Sequence, residues 1–263
     1  MKSQILKICF ASILALGVLM INSCSKDNNG GSFFDQNGGG TGSGTGGSLA
    51  RFTISNDYMY AVDNNTLKTF SLASPSNPKL VNSLQIGFNI ETIYAVDSLL
   101  FIGSRDAMYI YGISNPSTPL YFATASHVRA CDPVVAEDKY AYVTVRSQNN
   151  GSPCGGNTNS LIIYDITTIT QPVLINTLNL SNPHGLGIKQ NVLYVCDDKA
   201  GLKVLDVKDP LNIQTMHVIN DGNSYQDVII IDNILYCMLN NGFIIYDITQ
   251  SQEAPIKLAE FLH

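Results

Sequence analysis

The stretch Gly242–Ile248, GFIIYDI, is the last of five related copies along the 263-residue chain. The four earlier copies share its alternation of aliphatic and aromatic residues, and they are TLKTFSL ending at Leu72, AMYIYGI at Ile113, SLIIYDI at Ile166 and GLKVLDV at Val207. Successive copies end 41, 53, 41 and 41 residues apart. A constant period with one enlarged member indicates an array of structural repeats.

Each copy belongs to a unit of four short strands. An aromatic residue precedes the end of the copy by 12 or 13 positions in four units and by 24 in the third, and these residues are Tyr60, Phe101, Tyr142, Tyr194 and Tyr236. Another apolar run comes before each aromatic strand, and a further strand follows each copy after a turn. Gly, Asn and Asp at the junctions supply the positive φ that tight hairpins need.

A four-stranded meander of this length cannot bury both of its faces alone, and radial stacking of such sheets hides them. The sequence therefore predicts an all-β fold, a β-propeller of five four-stranded blades at about 49–87, 88–128, 129–181, 182–222 and 223–263. A β-sandwich would not explain the fixed period, and a solenoid normally has shorter repeats. Blades one and five are expected to close the ring by packing, without exchanging a strand.

Two segments carry a family resemblance, GLKVLDVKDP at Gly201–Pro210 and SLIIYDITTITQP at Ser160–Pro172. They resemble the LVIVD-repeat family of bacterial lipoproteins, and the resemblance extends over all five units. It implies a propeller-like fold and an envelope location, and it implies no assigned activity. Three copies have an aspartate as their next-to-last residue, at Asp165, Asp206 and Asp247, and we interpret these side chains as structural acceptors for backbone N–H groups in the turn that follows.

The first residues predict export. Lys2 and Lys7 precede an apolar run, Ile8–Ile21, which is followed by Asn22-Ser23-Cys24, so residues 1–23 are interpreted as a signal peptide. The end of this run resembles a bacterial lipobox, which implies lipidation of Cys24 and an outer-membrane lipoprotein of the cell envelope, exposed at the surface. Ordinary secretion is the alternative. Residues 24–48 are rich in Gly, Ser and Asn and predict a flexible tether.

Charge limits the class of partner. The chain carries a formal charge of −6, which becomes −8 without its first 23 residues because these contain two lysines and no acid. Such a chain repels phosphate backbones, so nucleic acid is excluded as a partner. The expected partners are a membrane, through the lipid anchor, and an envelope protein or glycan.

The third unit is enlarged by a loop, Arg146–Thr158, between its second and third strands. Loops on a rigid scaffold often carry specificity, so Arg146, Asn149 and Asn150 are candidate binding residues; a harmless insertion is the alternative. Cys131 and Cys154 are a candidate disulfide that would attach this loop to its own blade. Two other cysteines, Cys196 and Cys237, should point to opposite faces of equivalent strands and remain free thiols.

Polar residues recur where the innermost strands should surround the central channel. The candidate ligand-binding residues of this rim are Glu91, Arg129, Asp132, His184, Gln226 and Asp227. A solvated channel mouth explains them equally. A metal, small-ligand or hydrolytic site is the alternative function, and a structural part of a larger surface complex is a third. No familiar catalytic motif occurs, so we predict a binding or scaffold module that is no enzyme and has no cofactor or metal.

Overall fold

The computed structural model describes residues 47–127, 133–147 and 158–263, which form twenty strands in five antiparallel sheets. Each sheet is one blade, and its strands are adjacent in chain order. The strands of the first two blades are β1 (Phe52–Ser55), β2 (Tyr58–Val62), β3 (Thr66–Ser71), β4 (Lys79–Gln85), β5 (Ile90–Val96), β6 (Leu99–Ser104), β7 (Ala107–Gly112) and β8 (Leu120–Ser126).

The remaining three blades repeat this arrangement. Their strands are β9 (Val134–Glu137), β10 (Tyr140–Val145), β11 (Ser160–Asp165), β12 (Val173–Asn179), β13 (Leu186–Lys189), β14 (Val192–Cys196), β15 (Leu202–Asp206), β16 (Gln214–Ile219), β17 (Tyr225–Ile231), β18 (Ile234–Leu239), β19 (Gly242–Asp247) and β20 (Ile256–Leu262). The prediction of five four-stranded blades is therefore confirmed. Among the described residues no helix is long and apolar enough to cross a membrane.

Local chemistry shapes the turns as expected. The tight turn between the first two strands of each blade contains residues with positive φ, namely Asn56, Asp97, Asp138, Gln190, Asn191 and Asp232. Asn and Asp tolerate this region better than other residues with a side chain. After the third strand, Asp165 Oδ1 accepts the N–H of Thr167 at 2.8 Å, and Asp247 Oδ1 accepts the N–H of Thr249 at 2.7 Å. The repeated aspartate is thus a turn residue.

The glycine that begins GFIIYDI is required by backbone geometry. Gly242 has a φ of +149°, and a Cβ at this position would lie 1.9 Å from the carbonyl oxygen of Phe261 on β20. Residues other than glycine rarely adopt this φ, and the carbonyl leaves no space for a side chain. The first residue of the motif therefore brings β19 and β20 into close contact.

Buried side chains join consecutive blades. Four apolar clusters lie at the contacts of blades one and two, two and three, three and four, and four and five. Two of the repeated tyrosines also bond to the next blade. The hydroxyl of Tyr60 donates to the carbonyl of Pro116 at 2.9 Å, and that of Tyr194 donates to the carbonyl of Gln252 at 2.8 Å.

The contact between blades five and one differs from the other four. Tyr236 is 37% exposed, whereas the equivalent aromatic residues of blades one to four are at most 2% exposed. On the side of blade one that faces blade five, Phe52 is 52% exposed, whereas Ile93, its equivalent one period later, is 1% exposed. We call this poorly packed contact between blades five and one the seam. The expectation that blades one and five close the ring by packing is wrong for most of their facing surfaces.

Among the described residues, the hydrogen bonds that bridge the seam lie at its inner end. The hydroxyl of Ser48, just before blade one, donates to Asp227 Oδ1 at 3.2 Å and accepts the N–H of Leu186 at 2.7 Å. Ser48 is completely buried, and it links the start of blade one to the inner strands of blades four and five. Polar contacts at the channel therefore connect the first and last blades.

The cysteines follow the prediction where they are described. Cys196 and Cys237 are free and buried, and they lie on opposite faces of equivalent strands, β14 and β18. Because these strands belong to adjacent blades, both thiols face the same cluster between blades four and five. Cys24, the candidate disulfide Cys131–Cys154, the predicted signal peptide and most of the predicted tether lie outside the described residues.

Candidate functional site

A cavity with polar side chains lies where the innermost strands of the blades begin. Its volume is about 270 Å³, and its lining residues are Leu49, Arg51, Glu91, Thr92, Pro133, Arg146 and His184. Glu91 and Thr92 are the second and third residues of β5, Pro133 directly precedes β9, and His184 comes two residues before β13. Blades one to four therefore all contribute to this cavity, which we call the channel mouth.

His184 is held rigidly by its backbone. Its N–H donates to the carbonyl of Cys196 at 2.7 Å, and its carbonyl accepts the hydroxyl of Thr144 at 2.6 Å. The ring Nε2 lies 3.3 Å from Nη1 of Arg146. Burial and the adjacent Arg146 guanidinium lower the pKa of His184 to about 4, so the imidazole is neutral at pH 7.

The channel mouth contains positive charge that is not paired. Glu91 Oε1 accepts Nε of Arg105 at 3.0 Å and is thereby neutralised. Arg51 uses Nη2 to donate to the carbonyl of Ile90 at 3.1 Å, and Arg146 contacts the neutral ring of His184. Within residues 47–127, 133–147 and 158–263 neither Arg51 nor Arg146 has a carboxylate within ion-pair distance. Two guanidinium groups therefore line the cavity and can bind an anion.

A second polar network continues from the channel mouth across blades four and five. Nδ2 of Asn182 lies 3.5 Å from His184 Nε2 and donates to Asp198 Oδ2 at 3.0 Å. Asp198 also accepts hydrogen bonds from Ser224 and from Gln226, the latter at 3.4 Å. The network orients the amide and hydroxyl groups around His184 and places one carboxylate near the positive side chains.

The structure brings together only some of the residues predicted for the rim. Glu91 and His184 line the channel mouth. Gln226 lies instead in the adjacent network, and Asp227 turns toward Ser48 because Gly185 and Gly47 leave space for its carboxylate. The predicted residues Arg129 and Asp132 lie outside the described part of the chain.

Arg146 has a different place from the one predicted. It was assigned to the long loop, but it directly follows the last residue of β10 and its side chain lines the channel mouth. The loop begins at Arg146 as predicted, but this first side chain lies beside the ring of His184. The other two candidate loop residues, Asn149 and Asn150, lie outside the described residues.

Several residues of the site were missed by the sequence reasoning. Arg105 follows β6, Asp198 follows β14, and Leu49 precedes β1, so none belongs to the aligned inner-strand positions that were compared. Asp198 has a positive φ of 49°, and an aspartate in the sequence is only a weak indication of such a turn residue. A comparison of the turns between the second and third strands of all units would have found Arg105 and Asp198.

The donor set does not match a metal centre in the part of the chain that is described. No group of three or more His, Cys, Asp or Glu residues comes together there. The two groups best suited to ligate a metal, Glu91 and His184, are instead in contact with Arg105 and Arg146. Cationic neighbours compete with a metal for both side chains, so the arrangement favours binding of an anion.

The chain is a five-bladed β-propeller with a polar, positively charged channel mouth. Residues 184–220, which include all of blade four, match the LVIVD repeat. The resemblance deduced from Gly201–Pro210 is therefore confirmed for that blade. No curated protein matches the chain.

Solved structures share the fold at low sequence identity. A protein of unknown function from Desulfotomaculum acetoxidans has a TM-score of 0.66 at 11% identity, with 81% of this chain and 69% of that chain covered. The periplasmic gluconolactonase PpgL of Pseudomonas aeruginosa has a TM-score of 0.58 at 9% identity, with coverages of 78% and 69%. BamB of Moraxella catarrhalis has a TM-score of 0.53 at 10% identity, with 79% of this chain and 57% of that chain covered. These identities support a common fold and no common activity.

Proposed function

We propose that this protein is a lipid-anchored binding module of the bacterial cell envelope, and that its channel mouth binds an anionic group of an envelope protein or glycan without catalysis. One observation carries the proposal. Arg51 and Arg146 line the same cavity, and neither has a carboxylate partner in the described residues. A carboxylate from a ligand would supply the missing charge and could accept two hydrogen bonds from a guanidinium group.

The surroundings suit reversible binding better than chemistry. His184 is neutral and in contact with Arg146, so it is poorly placed to accept a proton from a substrate. Thr92 and Pro133 complete the wall without adding a group that could act as an activated nucleophile. Arg51 directly precedes β1 and Arg146 directly follows β10, so preformed strands of blades one and three hold the two arginines, and this pre-organisation lowers the entropic cost of binding.

Binding is tested by isothermal titration of the purified protein with two probes, a short acidic peptide and an oligosaccharide of uronic acids. Arg146→Gln and Arg51→Gln should each weaken binding by about 10- to 100-fold, since each removes a charge-assisted hydrogen bond. Lys79→Gln, which removes an exposed cation at the start of β4, is the matched control and should leave the affinity unchanged. If neither probe binds, or if all three variants bind equally, the channel mouth has no such role.

Attachment to the membrane is tested separately. Cys24→Ala should move the protein from the membrane fraction to the soluble fraction of the cell, because it removes the cysteine whose acyl chains are proposed to hold the protein at the membrane. Membrane partitioning that is unchanged by this substitution would refute lipidation. The result does not depend on the titration, so the location and the binding activity can fail independently.

A further inference from the structure

The last blade exposes an apolar surface on its side that faces the seam. It consists of the side chains on the side of blade five opposite the cluster shared with blade four. We call it the terminal face, and its residues are Ile229, Ile231, Ile234, Tyr236, Met238, Phe243, Ile245, Ile256 and Phe261. In blades one to four the corresponding face is covered by the next blade.

Internal comparison shows how unusual this exposure is. Met238 is 47% exposed, whereas its equivalent in blade four, Cys196, is fully buried. Phe243 is 38% exposed, and its equivalent Leu202 is also fully buried. Phe243 and Phe261 stack on each other with ring centroids 5.8 Å apart and form an aromatic pair on the outer strands of this face. The residues have the character of an interior, but solvent reaches them.

The charge distribution also suits burial. Lys257 and Glu260 pair with each other at 2.6 Å, and their cross-strand partners Tyr246 and Ile244 both belong to the cluster shared with blade four. They therefore lie on the opposite side of the sheet from the terminal face. Two acidic residues of the described strands share the side of the terminal face, Asp227 at its inner end and Asp247 at one corner. Asp227 accepts hydrogen bonds from Ser48 and Val228, and Asp247 accepts the N–H of Thr249 in the following turn. Two copies of a chain with a net charge of −6 can therefore meet here without bringing unpaired charges together.

We propose that the terminal face is the interface of a two-fold symmetric homodimer, in which blade five of one copy packs on blade five of a second copy. Nine apolar side chains that are partly exposed present on the order of 700 Å² per copy, close to the roughly 800 Å² per partner of a stable interface. Two-fold symmetry needs only one self-complementary patch, and the stacked aromatic pair near the edge of blade five is accessible to a second molecule.

The bridged inner end of the seam supports a partner that approaches from outside. Ser48 fixes the start of blade one to Asp227, so blade one is already held beside the inner strand of blade five. The exposed aromatic pair lies on the outer strands β19 and β20, away from this link. A second copy can cover these outer strands without separating the contacts at the channel.

The molar mass of the full chain, purified in detergent, tests this proposal by light scattering with correction for the detergent. The expected mass is that of a dimer at micromolar concentration. Phe261→Glu places a charge in the stacked pair of Phe243 and Phe261 and should weaken dimerisation by at least about tenfold. Leu120→Glu changes a residue of similar exposure on the outer strand of blade two, and this control should remain dimeric.

A second variant distinguishes dimerisation from closure of the ring within one molecule. Met238→Cys should react readily with a maleimide in the monomeric Phe261→Glu background and should be protected in an otherwise unchanged dimer. A monomeric full chain at concentrations up to about 100 µM overturns the proposal. If the Met238→Cys thiol is also protected from the maleimide in that monomer, blade five has closed on blade one within the same molecule. If it leaves the thiol reactive, the terminal face remains open to solvent.

Discussion

The carboxylate of Asp227 should make stability fall as the pH rises from about 4 to 6. Burial is the main cause that raises the pKa of Asp227 from 3.8 to about 6, and it outweighs the hydrogen bonds from Val228 and Ser48. Below pH 3.8 the group is protonated in both the folded and the unfolded chain. Between the two pKa values the unfolded chain ionises first, so folding loses the corresponding stabilisation as the pH rises.

The size of the effect follows from the difference between the two pKa values. One pKa unit corresponds to about 1.4 kcal/mol, so the shift from 3.8 to about 6 corresponds to at most about 3 kcal/mol. Asp227→Asn avoids this cost because an amide remains neutral, and its carbonyl oxygen can still accept the hydroxyl of Ser48. The variant should therefore match the natural protein near pH 4 and exceed its free energy of unfolding by up to about 3 kcal/mol at pH 7.

Urea unfolding followed by far-ultraviolet circular dichroism at several pH values measures this difference, since the chain contains no tryptophan for fluorescence. Asp57→Asn, which replaces an exposed carboxylate in a turn by the same amide, is the matched control. Other carboxylates titrate equally in the variant and the natural protein, so their effects cancel. A difference for Asp227→Asn that is constant with pH, or that is largest at pH 4, would refute the reasoning.

Two further predictions concern the contacts between blades. Tyr194→Phe should lower the free energy of unfolding by about 1 kcal/mol, because it removes the hydrogen bond to the carbonyl of Gln252. In the same urea titration, Tyr236→Phe at the seam should have almost no effect. Equal losses of stability would show that Tyr236 has a comparable partner. Cys196 and Cys237 should resist a thiol reagent until the protein unfolds, since burial raises the pKa of both thiols, and rapid labelling of the folded protein would contradict this packing of blades four and five.

The sequence was sufficient for the repeat and for the local structure of each blade. Alternation of side chains determines which residues share a strand face, and Asn56, Asp97 and Asp165 mark turns through their own backbone and side-chain preferences. The end of β10 at Val145 agrees with the sequence, which begins the loop at Arg146. The position of the Arg146 side chain beside His184 at the channel mouth was not predicted, because this contact joins residues far apart in the chain.

The candidate site could be predicted only in part. Glu91 and His184 were found because equivalent positions of the inner strands converge at one end of the channel. Arg105, which pairs with Glu91, and Asp198, which His184 reaches through Asn182, come from the turns between the second and third strands of the same blades, and these positions were not compared. Asp227 shows the same limit, since the space beside Gly47 and Gly185 turns its carboxylate away from the cavity.

The sequence by itself determined that GFIIYDI and its four earlier copies build five four-stranded blades, because strand alternation and turn chemistry act between residues close in the chain. Only the tertiary structure decided that four contacts between blades are packed and that the fifth is open over most of its surface. Closure of a ring depends on the angles between all its blades, and these arise from packing between residues that are far apart in the chain.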